Sequence, residues 1–417
     1  MSVAALRRTL AAAAVLAALL APADAHAQSS TPGPISARTG IVVEPTSRSV
    51  LWQRAADRRR SIASTTKLMT ALLVLERSRL SDVVAAAPYH ALAVESKINL
   101  RPGERMTVAD LMRGLLVYSA NDAAVTLADH VAGSRPAFVR LMNRRAHELG
   151  LDSTHYANPV GLDDPANYST ARDLVTLTER LWHFSFFRRT VRRESVTLES
   201  GDRPRTLANR NRLIGRYGWV DGVKTGHTLQ AGWVLVGAGR RRGVQLFSAV
   251  LGAGTDDARD DDTLALLRYG FTRLHMVEAV ARGELVAAAV PIRWRRGAEL
   301  QLMAGRTVRR VVARTEGNPF TTRPLSVPRQ VQGPIRRGQR LGRLEIRAHG
   351  KRVATVPLVA ANTVPRADLA QKTKEWFTHP IALLLAAAVL AGSVLLARRG
   401  RQGYRRRRRP RGEPEAA

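Results

Sequence analysis

The sequence predicts an α+β fold: one antiparallel sheet assembled from distant parts of the chain around a helical insert, followed by a small all-β module. Three observations carry this. Strand-like runs open and close the stretch 35–275, at 41–43 and 49–52 on one side and at 220–226, 233–239 and 245–251 on the other. Apolar residues at helical spacing fill the interval between them. From 276 to 365 short apolar runs recur, punctuated by Gly and Pro.

The elements follow in order. Residues 41–43 and 49–52 read as an opening hairpin. Helices are expected over 68–76, 108–116, 122–132 and 135–149, the last stopped by Gly150. The three closing strands are separated by short Gly- and Arg-containing gaps, so they pair antiparallel. A helix over 263–274 ends the region. Strands of the β module are expected at 285–291, 308–313, 341–346 and 353–359. No repeat of solenoid type is present.

The ends of the chain read as topogenic. Residues 1–27 carry Arg7 and Arg8, an apolar stretch, and small-x-small sites at Ala23-Asp24-Ala25 and Ala25-His26-Ala27. That is the layout of a signal peptide, with an uncleaved anchor as the alternative. Residues 28–34 and 366–379 read as linkers. Residues 380–397 form an uncharged run near the lower length limit for a membrane span, preceded by Trp376 and Phe377 and followed by the Arg-rich tail 398–417. A buried core helix is the competing reading. The positive-inside rule puts the tail in the cytoplasm and the folded domains outside the cell membrane, as a single-pass protein.

The formal charge is +32, with 60 Arg, six Lys and no Cys. The absence of Cys excludes disulfides, Cys-ligated metal and a thiol nucleophile. The hydrophobic content of 45% excludes wholesale disorder. The charge alone would suggest a nucleic-acid binder. Its distribution argues otherwise: the tail holds nine Arg and two Glu, and residues 276–365 hold 17 basic and five acidic residues. No nucleic acid, metal or cofactor is expected. The ten His show no metal-ligand spacing, and there is neither a phosphate-binding glycine loop nor a Gly-x-Ser-x-Gly elbow.

The lysines are the informative residues, because Lys can serve as a base and Arg cannot. Ser64 lies three residues before Lys67 at the start of an apolar helix, so the amine can reach the hydroxyl. The positive helix N-terminus disfavours an ammonium there and favours developing charge on the oxygen. By itself the pair fits a helix cap and a surface lysine equally well. Lys224-Thr225-Gly226-His227 falls on a strand, where Gly lets a peptide approach the backbone, and Lys and Thr could hold a carboxylate. Ser119-Ala120-Asn121 precedes a helix and alone reads as a cap.

Taken in order, Ser-x-x-Lys, Ser-x-Asn and Lys-Thr-Gly are the motif set of penicillin-binding proteins and class A β-lactamases. Across residues 35–365 the chain resembles the low-molecular-mass penicillin-binding proteins that act as serine-type D-alanyl-D-alanine carboxypeptidases. The resemblance includes Ile62 to Thr70, Ser119 to Ala124, Met142-Asn143, Gly161-Leu162-Asp163, Val220 to Thr228, Val250-Leu251-Gly252, Arg259 and Tyr269-Gly270-Phe271. It implies a β-lactamase/transpeptidase-like catalytic domain at 35–275, with an antiparallel sheet flanked by helices plus a helical subdomain, and a small β domain at 276–365. It also implies roles. Ser64 would be acylated, Lys67 would be the base, and Ser119 would relay a proton. Asn121 would bind the substrate amide. Lys224, Thr225, Gly226 and His227 would hold the substrate carboxylate and line the cleft, with the Ser64 and His227 N–H groups as oxyanion hole. Arg259 and Arg210 would lie near the terminal carboxylate. Ala120 departs from the more usual Gly.

The implied substrate is a peptidoglycan stem ending in D-Ala-D-Ala, and β-lactams would acylate the same serine. In relatives the β domain looks like a stand holding the catalytic domain off the membrane, and its charge suits anionic lipid or wall polymer. The alternatives are a β-lactamase and a non-enzymatic wall- or membrane-binding protein on the same fold. A β-lactamase would need a carboxylate for deacylation, and no Glu-x-x-x-Asn element follows Asn121.

Overall fold

The computed structural model of the protein describes residues 31–377 and 380–406. The expected signal peptide, 1–27, and the end of the arginine tail, 407–417, lie outside the described residues. The chain divides into two compact units, 1–276 with 311–315, and 277–310 with 316–417.

The first unit is built on five antiparallel strands: β1 (Thr39–Glu44), β2 (Ser49–Arg54), β3 (Val220–Thr228), β4 (Gly232–Arg241) and β5 (Val244–Ala253), in the order β2-β1-β5-β4-β3. The expected hairpin and three closing strands are all present. They meet because β1 pairs with β5, Ile41 opposite Ala249, about two hundred residues later in the chain. All six residues of β1 and the first seven of β3 are buried. Such unbroken burial marks a sheet covered on both faces. The motif strand β3 forms one edge of the sheet.

The insert contains α1 (Lys67–Arg77), α2 (Val108–Arg113), α3 (Asn121–Ala132), α4 (Arg135–Glu148), α5 (Ala171–Leu181) and α6 (Ser185–Val191). The last two were not expected. In α5 two Thr and four charged residues interleave the apolar stripe, and Thr170 caps the helix by accepting from the Asp173 N–H at 3.0 Å. The expected helix 108–116 is divided: α2 stops at Arg113 and Gly114–Tyr118 continues as one turn of π-helix. That wider turn delivers Ser119 in a left-handed conformation.

After β5 comes α7 (Asp256–Arg273), which begins seven residues before the expected 263. Its acidic start reads as polar loop in sequence. In the fold, Thr255 caps the helix and Asp256 and Asp257 complement the positive N-terminus. Buried Asp262 accepts hydrogen bonds from the Ser36 and Ala37 N–H groups and so ties the segment just before β1 to this helix.

The second unit holds β6 (Leu285–Pro291), β7 (Glu299–Ala304), β8 (Phe320–Leu325), β9 (Arg340–Ala348) and β10 (Lys351–Ala360), antiparallel in the order β6-β7-β10-β9-β8. Leu300, Leu302, Leu344, Ile346, Val356 and Leu358 are central to its core. Strands β7 and β8 were not expected. Pro324 stands in β8, an edge strand, where a missing N–H costs no ladder bond. The expected run 308–313 is a strand, though in a separate two-stranded ribbon and not in this sheet.

The chain continues as α8 (Leu369–Phe377), inside the stretch expected to be a linker, and α9 (Pro380–Arg406). The expected span 380–397 falls within α9, where Leu384, Leu390 and Leu396 are exposed. Among the described residues no helix is long and apolar enough to cross a membrane.

Candidate active site

Ala63–Thr66 makes one turn of 3-10 helix that runs into α1. The apolar start of α1 is fully buried, and Lys67 is carried inside with it. The Lys67 Nζ lies 2.9 Å from Ser64 Oγ and donates to the Val160 carbonyl at 2.6 Å. That carbonyl belongs to a loop held by Asn158, whose Oδ1 accepts from the N–H groups of Val160, Gly161 and Leu162 at 2.7 to 3.2 Å.

Two glycines allow the surrounding segments to close on the serine. Gly161 has φ +88°, and a Cβ there would sit 2.0 Å from the Ala63 carbonyl oxygen. A Cβ on Gly226 would sit 2.8 Å from the Ser64 nitrogen. The strand reading marks Gly226 and the family resemblance marks Gly161, and close backbone approach is the physical reason both are glycine.

The second lysine repeats the arrangement. From strand β3 the buried Lys224 Nζ donates to Ser119 Oγ at 2.8 Å and to the Thr225 carbonyl at 3.0 Å. Both serines stand beside strained backbone: Ser119 has φ +68° and Ala63 φ +45°. Non-glycine residues in this region cost about 1–3 kcal/mol each, which the surrounding fold must offset. Asn121 opens α3. Its N–H donates to the Ser96 carbonyl at 2.8 Å and its Nδ2 to Glu95 Oε2 at 2.5 Å.

Burial pushes the Lys67 amine down to about 7, and the charges of Glu95 and Asp122 only partly oppose that. Lys224 is held well below the usual lysine range, first by burial and then by the positive charges of Lys67, Arg210 and Arg259. A neutral Lys67 has a lone pair to offer Ser64 while still donating to Val160. Burial would raise the Glu95 carboxyl, but hydrogen bonds from Tyr89, Asn121 and the Leu92 N–H, together with Lys67, bring it below the ordinary value.

The remaining expected residues fall in two groups. Thr225 and Gly226 are buried on β3 beside Lys224, and His227 is exposed, stacked on Trp233 at 4.0 Å. Arg259 is buried on α7 behind that ring, 5.5 Å from the Trp233 centroid, its guanidinium bound by Asp260 at 2.7 and 2.9 Å and by Asp256 at 2.5 Å. Arg210 is exposed and packs over the Tyr118 ring at 4.3 Å. The structure thus gathers three hydrogen-bonded pairs, Ser64 with Lys67, Ser119 with Lys224 and Asn121 with Glu95, into one group coupled by the charges of Glu95, Lys67 and Lys224. The two arginines reach it through their charge and through aromatic rings. Among the described residues no cluster of three or more His, Asp or Glu could hold a metal ion.

Sequence reasoning missed Glu95, Tyr89, Trp233 and the Val160 carbonyl. The Asn158-Pro159 pair signals a turn and could have marked the loop. Nothing in spacing marks Glu95.

Known proteins of one family are similar to this chain. A family profile described as D-alanyl-D-alanine carboxypeptidase matches residues 25–255, and one described as penicillin-binding protein 5, C-terminal domain, matches 276–366. The D-alanyl-D-alanine carboxypeptidase DacC of Escherichia coli is 33% identical over 374 residues, covering 86% of this chain and 92% of that protein. The corresponding DacF of Bacillus subtilis is 30% identical over 337 residues, covering 79% and 86%. The crystal structure of penicillin binding protein 5 from Haemophilus influenzae superposes with a TM-score of 0.58 at 28% identity, covering 81% of this chain and 99% of that one.

Proposed function

The chain belongs to the D-alanyl-D-alanine carboxypeptidase family, and from its site we propose how these residues divide the work. The protein is a serine-type D-Ala-D-Ala carboxypeptidase and a penicillin-binding protein. It removes the terminal D-alanine from peptidoglycan stems.

Ser64 Oγ attacks the carbonyl between the last two D-alanines as Lys67 Nζ takes its proton. The observation that carries this is the 2.9 Å Lys67 to Ser64 contact, made by an amine that burial brings to about 7. The N–H groups of Ser64 and His227 stabilise the oxyanion. The peptide bond breaks, the proton held by Lys67 is relayed through the Ser119 hydroxyl to the departing D-alanine amine, and an acyl-enzyme remains on Ser64. Water then releases the shortened stem. Asn121 holds the substrate amide. Lys224 and Thr225 hold the terminal carboxylate, whose negative charge is the counterion that buried Lys224 otherwise lacks. Arg259 and Arg210 add positive potential behind them. A β-lactam acylates Ser64 by the same attack and leaves slowly.

The uncharged run 380–397 followed by arginines, and the apolar leader 1–27, support export and attachment to the cell membrane with the catalytic unit outside. Fractionation of cells carrying the full chain or a chain ending at 366 tests this: the shorter form is expected to be released, and its retention on membranes would contradict attachment through the C-terminal helix.

The catalytic reading is tested by D-alanine release from a pentapeptide stem, with the acylated residue located by mass spectrometry after penicillin exposure. Release, and mass added at Ser64, are expected. Folded protein that does neither would overturn it.

A further inference from the structure

The geometry points to Glu95 as a positioning residue of the acylation site: it fixes the side-chain amide of Asn121 and supplies a negative charge acting on Lys67. This rests on the roles proposed above for Asn121 and Lys67 and deepens them.

Glu95 lies in the segment between two short paired strands, Val83–Ala85 and Arg105–Thr107. Its Oε1 accepts from the Leu92 N–H at 2.9 Å, closing its own loop. Its Oε2 accepts from the Tyr89 hydroxyl and from Asn121 Nδ2. The same loop is joined to the start of α3 through its backbone. The Ser96 carbonyl accepts from the Asn121 N–H, and the Asp122 carboxylate accepts from the Ile98 and Leu100 N–H groups. The loop is therefore built onto the Ser-x-Asn motif, with Glu95 as its side-chain link.

An asparagine amide can present either its oxygen or its nitrogen in a given direction. An ionised carboxylate is acceptor-only, so Glu95 selects one of the two and turns Nδ2 toward itself. That leaves Oδ1 of Asn121 for the substrate amide, with the flip already removed. A glutamine in place of Glu95 could donate or accept, and would restore the ambiguity.

The charge is the second part. The groups acting on Lys67 and its partner are Glu95 from this loop, Asp122 from α3, and Lys224 from β3, with Arg210 and Arg259 acting on Lys224. Glu95 and Asp122 oppose the effect of burial on Lys67. Removing the Glu95 charge lets the amine lose its proton at lower pH and makes it a weaker base.

Two variants separate the parts. Glu95→Gln removes the charge and the fixed acceptor. Glu95→Asp keeps the charge but withdraws it by one methylene from Asn121. The readout is the second-order rate of Ser64 acylation by penicillin as a function of pH. Both variants are expected to acylate more slowly on the plateau, roughly tenfold to 100-fold. The acidic limb is expected to move down by about half to one pH unit in Glu95→Gln and to stay in place in Glu95→Asp. Wild-type rates in both variants, or slowed rates with an unmoved limb in Glu95→Gln, would overturn the proposal, since a residue that merely supports the loop gives the second result. Lys67→Arg is run alongside. Normal acylation there refutes the base assignment itself, whereas loss of acylation there with an unmoved limb in Glu95→Gln refutes Glu95 alone.

Discussion

Two five-stranded antiparallel sheets lie in this chain, and they bury different things. In the first unit strand β3 is buried without alternation and carries Lys224, with Lys67, Asp221, Arg259, Asp260 and Asp262 also buried in that unit. In the second, strand β7 alternates exposed and covered positions, and Glu345 is the one buried polar side chain among the described residues of that unit. The first sheet is packed on both faces and keeps ionisable groups in its interior at a cost. The second follows the ordinary pattern of apolar residues facing a core and polar residues facing water. Chemistry belongs where burial changes what a side chain can do, and here that is where two lysines each meet a serine.

The largest test of this contrast is at the lysine. Lys67→Arg keeps a positive charge but removes the base. Acylation by penicillin, followed by stopped-flow or quench, is expected to fall by roughly 10²–10⁴-fold with the fold intact by circular dichroism. A near-normal rate would put the chemistry elsewhere. In the second unit, Leu344→Ala removes a fully buried core side chain and is expected to destabilise that unit by about 2–5 kcal/mol in denaturant unfolding. The acylation rate should hold as long as the catalytic unit stays folded. A parallel loss of acylation would mean that the two units are not separable in function.

Gly161→Ala sharpens the comparison within the first unit. It meets both the Ala63 carbonyl and an unfavourable φ, so a loss of about 1–3 kcal/mol is expected, together with slower acylation because the turn carrying Ser64 must shift. Unchanged acylation would show that the serine turn does not depend on this close approach. The smallest effect is expected at Thr255→Ala, which removes the cap of α7 at a cost of about 1 kcal/mol, measured as a lower unfolding midpoint with acylation unchanged.

The sheet of the first unit was readable because its strands are short apolar runs bounded by Gly, and because the three closing strands lie next to one another in sequence. Helices α5 and α6 were not: sequence reasoning missed the stripe Leu174, Val175, Leu177 and Leu181 of α5 among its polar residues, and α6, seven residues long, is too short to show a period. The early start of α7 was hidden by its acidic first turns, which the helix macrodipole stabilises. At the site, Ser64 with Lys67 and the Lys224 strand were marked by spacing and by the choice of Lys over Arg. The pairing of Lys224 with Ser119 spans 105 residues, and the hold of Glu95 on Asn121 comes from a loop. Neither leaves a periodic trace, because tertiary contact alone creates them. The resemblance implied Arg259 near the substrate carboxylate. In the fold its guanidinium is bound by Asp256 and Asp260 behind Trp233, and its charge acts on Lys224.

The central claim is that a buried Lys67, whose amine is partly neutral near pH 7, takes the proton from Ser64. It is tested most directly by the pH dependence of Ser64 acylation in the wild-type protein. An amine lowered to about 7 is an ammonium at about pH 5 and a free base above about pH 8. The rate is therefore predicted to rise with pH through a midpoint near that value and then level off. A rate that is flat across this interval, or one that rises only near the ordinary lysine range, would contradict it.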